Sequence, residues 1–132
     1  MKEIKLRCVI DGDPTGEVLF SLKPIAFLQG VDPEKGCVSD DKHELFSKPF
    51  KDKVLVFPNT VGSSVGAYVI YRLKKKGNAP KAIINEKSDI ITASGCAIAG
   101  IPLFDIQKGQ LSDLEDVKSV SYKRTNSTLV LS

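Results

Sequence analysis

Tryptophan is absent from the 132-residue sequence, histidine occurs once, and the few cysteines are scattered. Cys8, Cys37 and Cys96 lie far apart and form no CxxC pair. Zinc and iron–sulfur sites built by a single chain use closely spaced Cys or His ligands, so this pattern argues against either site. We expect three ordinary thiols and no metal or cofactor on this chain.

Long apolar runs and strong charge are also missing. No stretch approaches the roughly 20 apolar residues that cross a bilayer, and the charged N-terminal stretch MKEIKLRCVIDGD does not have the pattern of a signal peptide. The net charge is only +3, whereas nucleic-acid surfaces usually carry a stronger basic stripe. We therefore predict a cytoplasmic protein that binds neither nucleic acid nor membrane.

What the sequence does contain is typical of one globular domain, which we predict to span residues 1–132. Apolar residues make up 42% of the chain and charged residues 27%, both ordinary values. A length of 132 residues suits a single hydrophobic core. No internal repeat or low-complexity segment occurs.

Apolar periodicity predicts an α/β fold. Residues 63–76 have helical spacing and end at basic residues followed by Gly77, a usual helix C-terminus. Residues 88–100 are ambiguous, because a capping residue at Ser88 or Asp89 favours a short helix while β-branched residues and Gly95 oppose a long one. Strands are predicted at 3–10, 17–22, 54–57, 82–86, 101–106, 119–124 and 128–132. This order gives a mixed sheet with a βαβ core and added strands from both ends.

The stretch VLVFPNTVGSSVGAY (54–68) places Gly62, Ser63 and Ser64 where a buried strand passes into the predicted helix. One interpretation is a helix cap, in which a serine oxygen accepts a backbone N–H. The other is catalytic, because free N–H groups and the helix dipole hold anions and stabilise a serine that must lose its proton. Other motifs do not fit: there is no GxxxxGK[ST] loop and no GxSxG elbow, and His43 is the sole histidine available for a triad.

Four stretches resemble, in order, the swivelling-domain component of the aconitase X family. They are IAFLQGVDPEKGCV (25–38), KVLVFPNTVGSSVGAYVIYRL (53–73), KGNAPKAIINE (76–86) and AIAGIPLFD (97–105). The resemblance implies an aconitase-type swivelling β/β/α domain and a hydro-lyase split between two chains. A larger partner subunit would carry the iron–sulfur cluster, and the complex would dehydrate 5-phosphomevalonate to trans-anhydromevalonate 5-phosphate, a step of archaeal isoprenoid synthesis.

The resemblance also implies roles for individual residues. Ser63, the first serine after Gly62, would be the base that abstracts the substrate proton. Gly62 and Ser64 would bind the substrate or its anionic group. His43 would contact substrate or partner, or lie solvated in its loop, and Asp32 would close a turn or face the active site.

One position departs from the family pattern. Members often carry a basic residue just before the glycine, where this chain has Val61, so the group that holds the phosphate stays unassigned. Two alternatives also stay open at this point. The chain could serve another hydroxy-acid dehydratase of the same group, such as one acting on hydroxyproline, or it could be a non-catalytic swivelling module that only binds a partner.

Overall fold

Seven β-strands close into a barrel in the computed structural model, which describes residues 2–132. The barrel strands are β1 (Glu3–Ile10), β2 (Gly16–Phe20), β5 (Lys53–Val56), β6 (Ala82–Asn85), β7 (Leu103–Ile106), β8 (Ser119–Lys123) and β9 (Thr128–Leu131). Their order around the barrel is β1-β7-β6-β5-β2-β8-β9. Pairs among β2, β5, β6 and β7 are parallel and the remaining pairs are antiparallel, which confirms the predicted mixed sheet.

Two helices connect the central parallel strands and pack on one side of the barrel. Helix α2 (Gly66–Lys75) joins β5 to β6, and α3 (Ile90–Ala99) joins β6 to β7. A one-turn helix α1 (Phe27–Gly30) and a small hairpin of β3 (Val31–Asp32) and β4 (Cys37–Val38) lie between β2 and β5. Short 3-10 helices occupy Leu111–Leu114 and Arg124–Asn126.

The buried residues of β5 serve two separate cores. Val54 and Val56 point into the barrel with residues such as Ile84 and Phe104, whereas Leu55 packs outward against the helices. Alternate residues of a strand point to opposite faces. The strand predicted to be buried is therefore buried on both faces, because one face meets the barrel interior and the other meets α2 and α3.

Helix α3 resolves the ambiguous segment in favour of a ten-residue helix. Asp89 caps its first turn by accepting the N–H of Thr92, and Gly100 ends it in the left-handed conformation. Gly95 faces α2 so closely that a Cβ there would lie 2.8 Å from Ile70 Cδ1. The glycine that weakened the sequence-based helix prediction is thus the residue that lets the two helices pack.

Candidate active site

The loop from β5 to α2 brings Ser63 to the end of the barrel where the parallel strands terminate. Backbone hydrogen bonds hold the loop on one side, because Ile25 N–H donates to Asn59 O at 3.2 Å and Val61 N–H donates to Ile25 O at 3.1 Å. The carboxyl ends of parallel strands are the usual place for ligand sites in α/β sheets. The sequence prediction that this loop links a strand to a helix is confirmed.

Ser63 lies three residues before Gly66, the first residue of α2, and is half-buried. The helix begins at Gly66, three residues later than predicted, because residues 63–65 form a turn in which Ser63 O accepts the N–H of Gly66 at 2.9 Å. Ser63 Oγ accepts the N–H of Val65 at 3.1 Å. An oxygen held in this way keeps a donor beside it whether it is a hydroxyl or an alkoxide.

Three backbone N–H groups near Ser63 are available to a ligand. Within residues 2–132, the N–H groups of Gly62, Ser63 and Ser64 donate to no other part of the protein. They precede the N-terminus of α2, where the aligned peptide dipoles favour negative charge. The predicted binding residues Gly62 and Ser64 therefore lie beside Ser63, and Ser64 is exposed.

Gly62 is required by the backbone at this point. Its φ is +91°, a conformation that side chains with a Cβ rarely adopt, and a Cβ would lie 2.8 Å from Gln29 Oε1. Gln29 belongs to α1 and is exposed. The side-chain amide of Gln29 therefore lies next to the loop from β5 to α2, the serine loop. Sequence reasoning did not identify Gln29 as a neighbour of this loop.

Asp89 connects the serine loop to α3. Its Oδ2 accepts the Thr60 N–H at 2.8 Å, its Oδ1 accepts the Thr92 N–H at 2.9 Å, and the Thr60 hydroxyl also donates to Oδ1. Partial burial opposes ionisation, but these hydrogen bonds outweigh it and hold the pKa of Asp89 below its ordinary value. Sequence reasoning identified Asp89 only as a possible cap, because nothing in the local pattern points to Thr60.

His43 occupies a structural position in the loop before β5. The N–H of Leu45 donates to His43 Nδ1 at 3.1 Å, and Nε2 lies 3.1 Å from the carbonyl oxygen of Pro24. These two contacts assign the proton to Nε2 and tie the loop to the segment that precedes Ile25. The contact of His43 with substrate or partner stays a prediction.

Asp32 lies in the turn between β3 and β4. Its Oδ1 accepts the N–H of Glu34 at 2.9 Å, as a turn-forming aspartate does. The carbonyl oxygen and the side chain of Glu34 in turn contact Asn78 and Arg72, at the C-terminal end of α2. The structure therefore does not bring Asp32 to Ser63, which precedes the opposite end of that helix.

The surface formed by the serine loop with the first turns of α2 and α3 carries no charged side chain from these segments. Neither residues 54–71 nor residues 90–104 contain a charged side chain. Val65, Tyr68 and Ile90 are large apolar or aromatic residues on this surface, and their exposed fractions are 51%, 60% and 80%. Leu28 and Val61, close to the same loop, are also exposed. Groups of exposed large apolar side chains mark interaction sites, so this surface is a candidate interface.

Ser63 lines neither of two clefts at this end of the barrel. A cleft of about 300 Å³ beside the loop is lined by Pro58, Asn59 and residues 86–89. A larger cleft of about 710 Å³ crosses β1, β6 and β7 and is lined by residues such as Arg7 and Asp105, which form an ion pair. The candidate site is therefore identified by Ser63 and the free N–H groups of the loop, and not by the size of a cleft. Ser63 itself faces an open surface.

Residues 3–131 match the sequence profile described as the aconitase X swivel domain. The chain belongs to the aconitase X swivel-domain family. This confirms the family and the swivelling α/β fold that the sequence resemblance implies.

Similarity to individual swivel-domain proteins extends over nearly the whole chain. The phosphomevalonate dehydratase small subunit of Methanosarcina acetivorans is 48% identical over 86% of this chain and 80% of its own length. The protein of the same name from Methanothrix thermoacetophila is 43% identical over 98% of this chain and 94% of its own. The crystal structure of Thermococcus kodakaraensis aconitase X in its holo-form aligns with a TM-score of 0.87 and 38% identity, covering 100% of this chain and 99% of that chain.

The cysteines of this swivel domain do not converge on an iron–sulfur site. Cys8 is exposed on β1, whereas Cys37 and Cys96 are buried on β4 and α3. Across residues 2–132, no group of three or more His, Cys, Asp or Glu side chains lies close enough to hold a metal ion. Burial raises the pKa of Cys96 to about 12, so its thiolate is disfavoured as a ligand. The residues that the structure describes therefore do not fit an iron–sulfur cluster.

The helices of the described chain are short. None within residues 2–132 is both long and apolar enough to cross a membrane.

Proposed function

We propose that this chain is the small subunit of a phosphomevalonate dehydratase, a hydro-lyase that converts (R)-5-phosphomevalonate to trans-anhydromevalonate 5-phosphate. The observation that carries the proposal is the 43% identity to a curated small subunit of that enzyme over 98% of this chain and 94% of the relative. The product belongs to isoprenoid synthesis by the archaeal type of mevalonate pathway. The enzyme would be inactive without a large subunit.

Ser63 is the base in this proposal. Dehydration removes a carbon-bound proton, whose electron pair becomes the new C=C bond as the neighbouring C–O bond breaks and the hydroxyl group leaves. The proton passes to Ser63 Oγ, which must first be deprotonated. The Val65 N–H at 3.1 Å and the N-terminal end of α2 stabilise the alkoxide, and their effect grows when water is excluded.

The proposed partner is a large aconitase-X-type subunit that covers the Ser63 face. Ser63 lies on an open surface between exposed neighbours, and a serine base needs a drier environment than the isolated chain supplies. The apolar side chains of Leu28, Val65 and Ile90 border that surface and would be buried by the partner. The iron–sulfur cluster would lie on the large subunit and would supply a Lewis acid for the departing hydroxyl.

Backbone groups are the best candidates on this chain for holding the anionic end of the substrate. Val61 is uncharged, and the basic residues of α2 lie in its last turn. Arg72 there and Lys76, just after the helix, pair with Glu34 at 2.7 and 3.4 Å. The N–H groups of Gly62 and Ser64 remain, and backbone donors at a helix N-terminus suit phosphate or carboxylate.

The test is a dehydration assay with the reconstituted two-subunit enzyme. The chain is combined anaerobically with its large subunit and assayed on (R)-5-phosphomevalonate, as wild type and as Ser63→Ala and Ser64→Ala. We expect activity to require both chains and to fall about 10²- to 10⁴-fold in Ser63→Ala, the usual loss for a general base, with assembly intact. Ser64→Ala keeps its backbone N–H and is the matched control, for which we expect a much smaller loss.

Three results would contradict parts of the proposal. Activity that survives Ser63→Ala would reduce Ser63 to a structural residue of the turn before α2. A well-formed complex that is inactive on 5-phosphomevalonate but dehydrates another hydroxy acid would move the chain to a different enzyme of the group. A complex with no dehydratase activity on any such substrate would favour a non-catalytic swivelling module.

A further inference from the structure

The carboxylate of Asp89 does more than cap α3. A cap needs one oxygen that accepts an N–H in the first helical turn, and here Oδ1 accepts the Thr92 N–H at 2.9 Å. The other oxygen, Oδ2, accepts the Thr60 N–H at 2.8 Å, and the Thr60 hydroxyl donates to Oδ1. One side chain therefore joins two segments that are 29 residues apart.

Thr60 is the last buried residue before the serine. It is buried, with 6% of its surface exposed, and its neighbours Asn59 and Val61 bond to the backbone of Ile25 on the other side. Gly62 then follows with a φ of +91°, and no side chain of its own limits how the chain continues. The orientation of Ser63 after this glycine therefore depends on how firmly the hydrogen bonds to Asp89 hold Thr60.

The second attachment of the serine is on α2. Ser63 O accepts the Gly66 N–H at 2.9 Å, and α2 packs closely on α3 at Gly95. Asp89 lies at the N-terminus of α3, so its hydrogen bonds to Thr60 tie the start of the loop to α3. The end of the loop is tied to α2, which packs on α3. A loop fixed at both ends to one packed layer has little freedom between them.

We propose that Asp89 and Thr60 are positioning residues, which form a clasp that holds Ser63 in the orientation needed for proton abstraction. The proposal rests on the proposed role of Ser63 as the base. Neither residue is expected to touch the substrate. Misplacing a reacting group by about 1 Å can cost about 100-fold in rate, so the clasp acts on turnover rather than on substrate affinity.

The experiment distinguishes the hydrogen bonds between Asp89 and Thr60, the clasp, from the capping of α3 by Asp89. Asp89→Ser keeps an N-cap residue for α3 but is too short to reach Thr60. Thr60→Val removes only the hydroxyl, and Thr60→Ser restores it. Thr92→Val is the matched control, since it removes a hydroxyl that contacts the same carboxylate at 3.3 Å from the helix side. Each variant is assayed for kcat and KM in the reconstituted two-subunit enzyme. Amide hydrogen exchange is measured in the small subunit alone at Val61 and Gly66, whose N–H groups are hydrogen-bonded on either side of the serine.

We expect Thr60→Val and Asp89→Ser to lower kcat by about 10- to 100-fold with little change in KM, and to accelerate amide exchange at Val61 and Gly66. Thr60→Ser should return kcat to near the wild-type value, and Thr92→Val should leave it there. Unchanged kcat and unchanged exchange in Thr60→Val, even with lower thermal stability, would overturn the proposal and leave Asp89 as a structural cap. If the wild-type complex does not dehydrate phosphomevalonate, the proposed function fails, whereas the exchange measurement still decides whether the clasp exists.

Discussion

Replacing Gly62 with alanine tests whether the shape of the serine loop matters for the chemistry. The alanine Cβ would have to adopt a φ of +91° and would lie 2.8 Å from Gln29 Oε1. The left-handed conformation costs about 1–2 kcal/mol for a residue with a Cβ. The contact adds less than this, because Gln29 is exposed and its amide is the far end of a flexible side chain.

Gly77→Ala is the control that isolates the effect on the loop. Gly77 has a φ of +73°, but nothing lies within 4 Å of a Cβ built there, and it follows the opposite end of α2. Both variants should lose about 1–2 kcal/mol of unfolding free energy. At about 3–6 °C per kcal/mol for a domain of this size, both should show similar falls in Tm.

Activity should separate the two variants. In the reconstituted enzyme, we expect Gly62→Ala to lower kcat by up to about 100-fold, because Ser63 is displaced, while Gly77→Ala stays near wild type. The double variant Gln29→Ala/Gly62→Ala should recover the part of the loss due to the contact but not the part due to the backbone. Equal kcat in Gly62→Ala and wild type would refute the reasoning, since the serine would then tolerate a changed loop.

Three further outcomes are expected. Ile90→Asp should weaken assembly with the large subunit in analytical ultracentrifugation, because it puts a charge on the Ser63 face. Ile98→Asp, at an exposed position near the other end of the same helix, should leave assembly unchanged. The reverse result would place the interface away from the Ser63 face. Folding lowers the pKa of Asp89 below its ordinary value of 3.8, so the ionised carboxylate stabilises the folded protein at pH values above 3.8. This stabilisation should be lost as the pH falls through the lower pKa of the folded state. Asp89→Ser should therefore make the free energy of unfolding depend less on acid pH, which acid-induced unfolding curves would measure. Iodoacetamide should label exposed Cys8 in the native protein and leave buried Cys96 unlabelled until denaturation, which mass spectrometry would check.

The sequence by itself determined the elements and the place of the candidate base. Strand and helix periods, and the C-terminal Gly77, are local signals, because they reflect which side of a short segment is buried. The change from period 2 to helical spacing around Gly62 and Ser63 is equally local, and the family resemblance of four ordered blocks added the chemistry. The structure confirms the strands, α2 and the closing hairpin of β8 and β9 with shifts of a few residues at their ends.

Only the tertiary structure decided how distant segments meet. The sequence pattern does not show that β2 pairs with both β5 and β8 and so helps to close the barrel, nor that Asp32 lies toward the far end of α2. It also cannot show that Asp89 reaches Thr60, or that Gly95 supports a helix by allowing close packing on Ile70. These contacts join residues far apart in the chain, and their free energy depends on the packing of whole layers, which no local window of sequence contains.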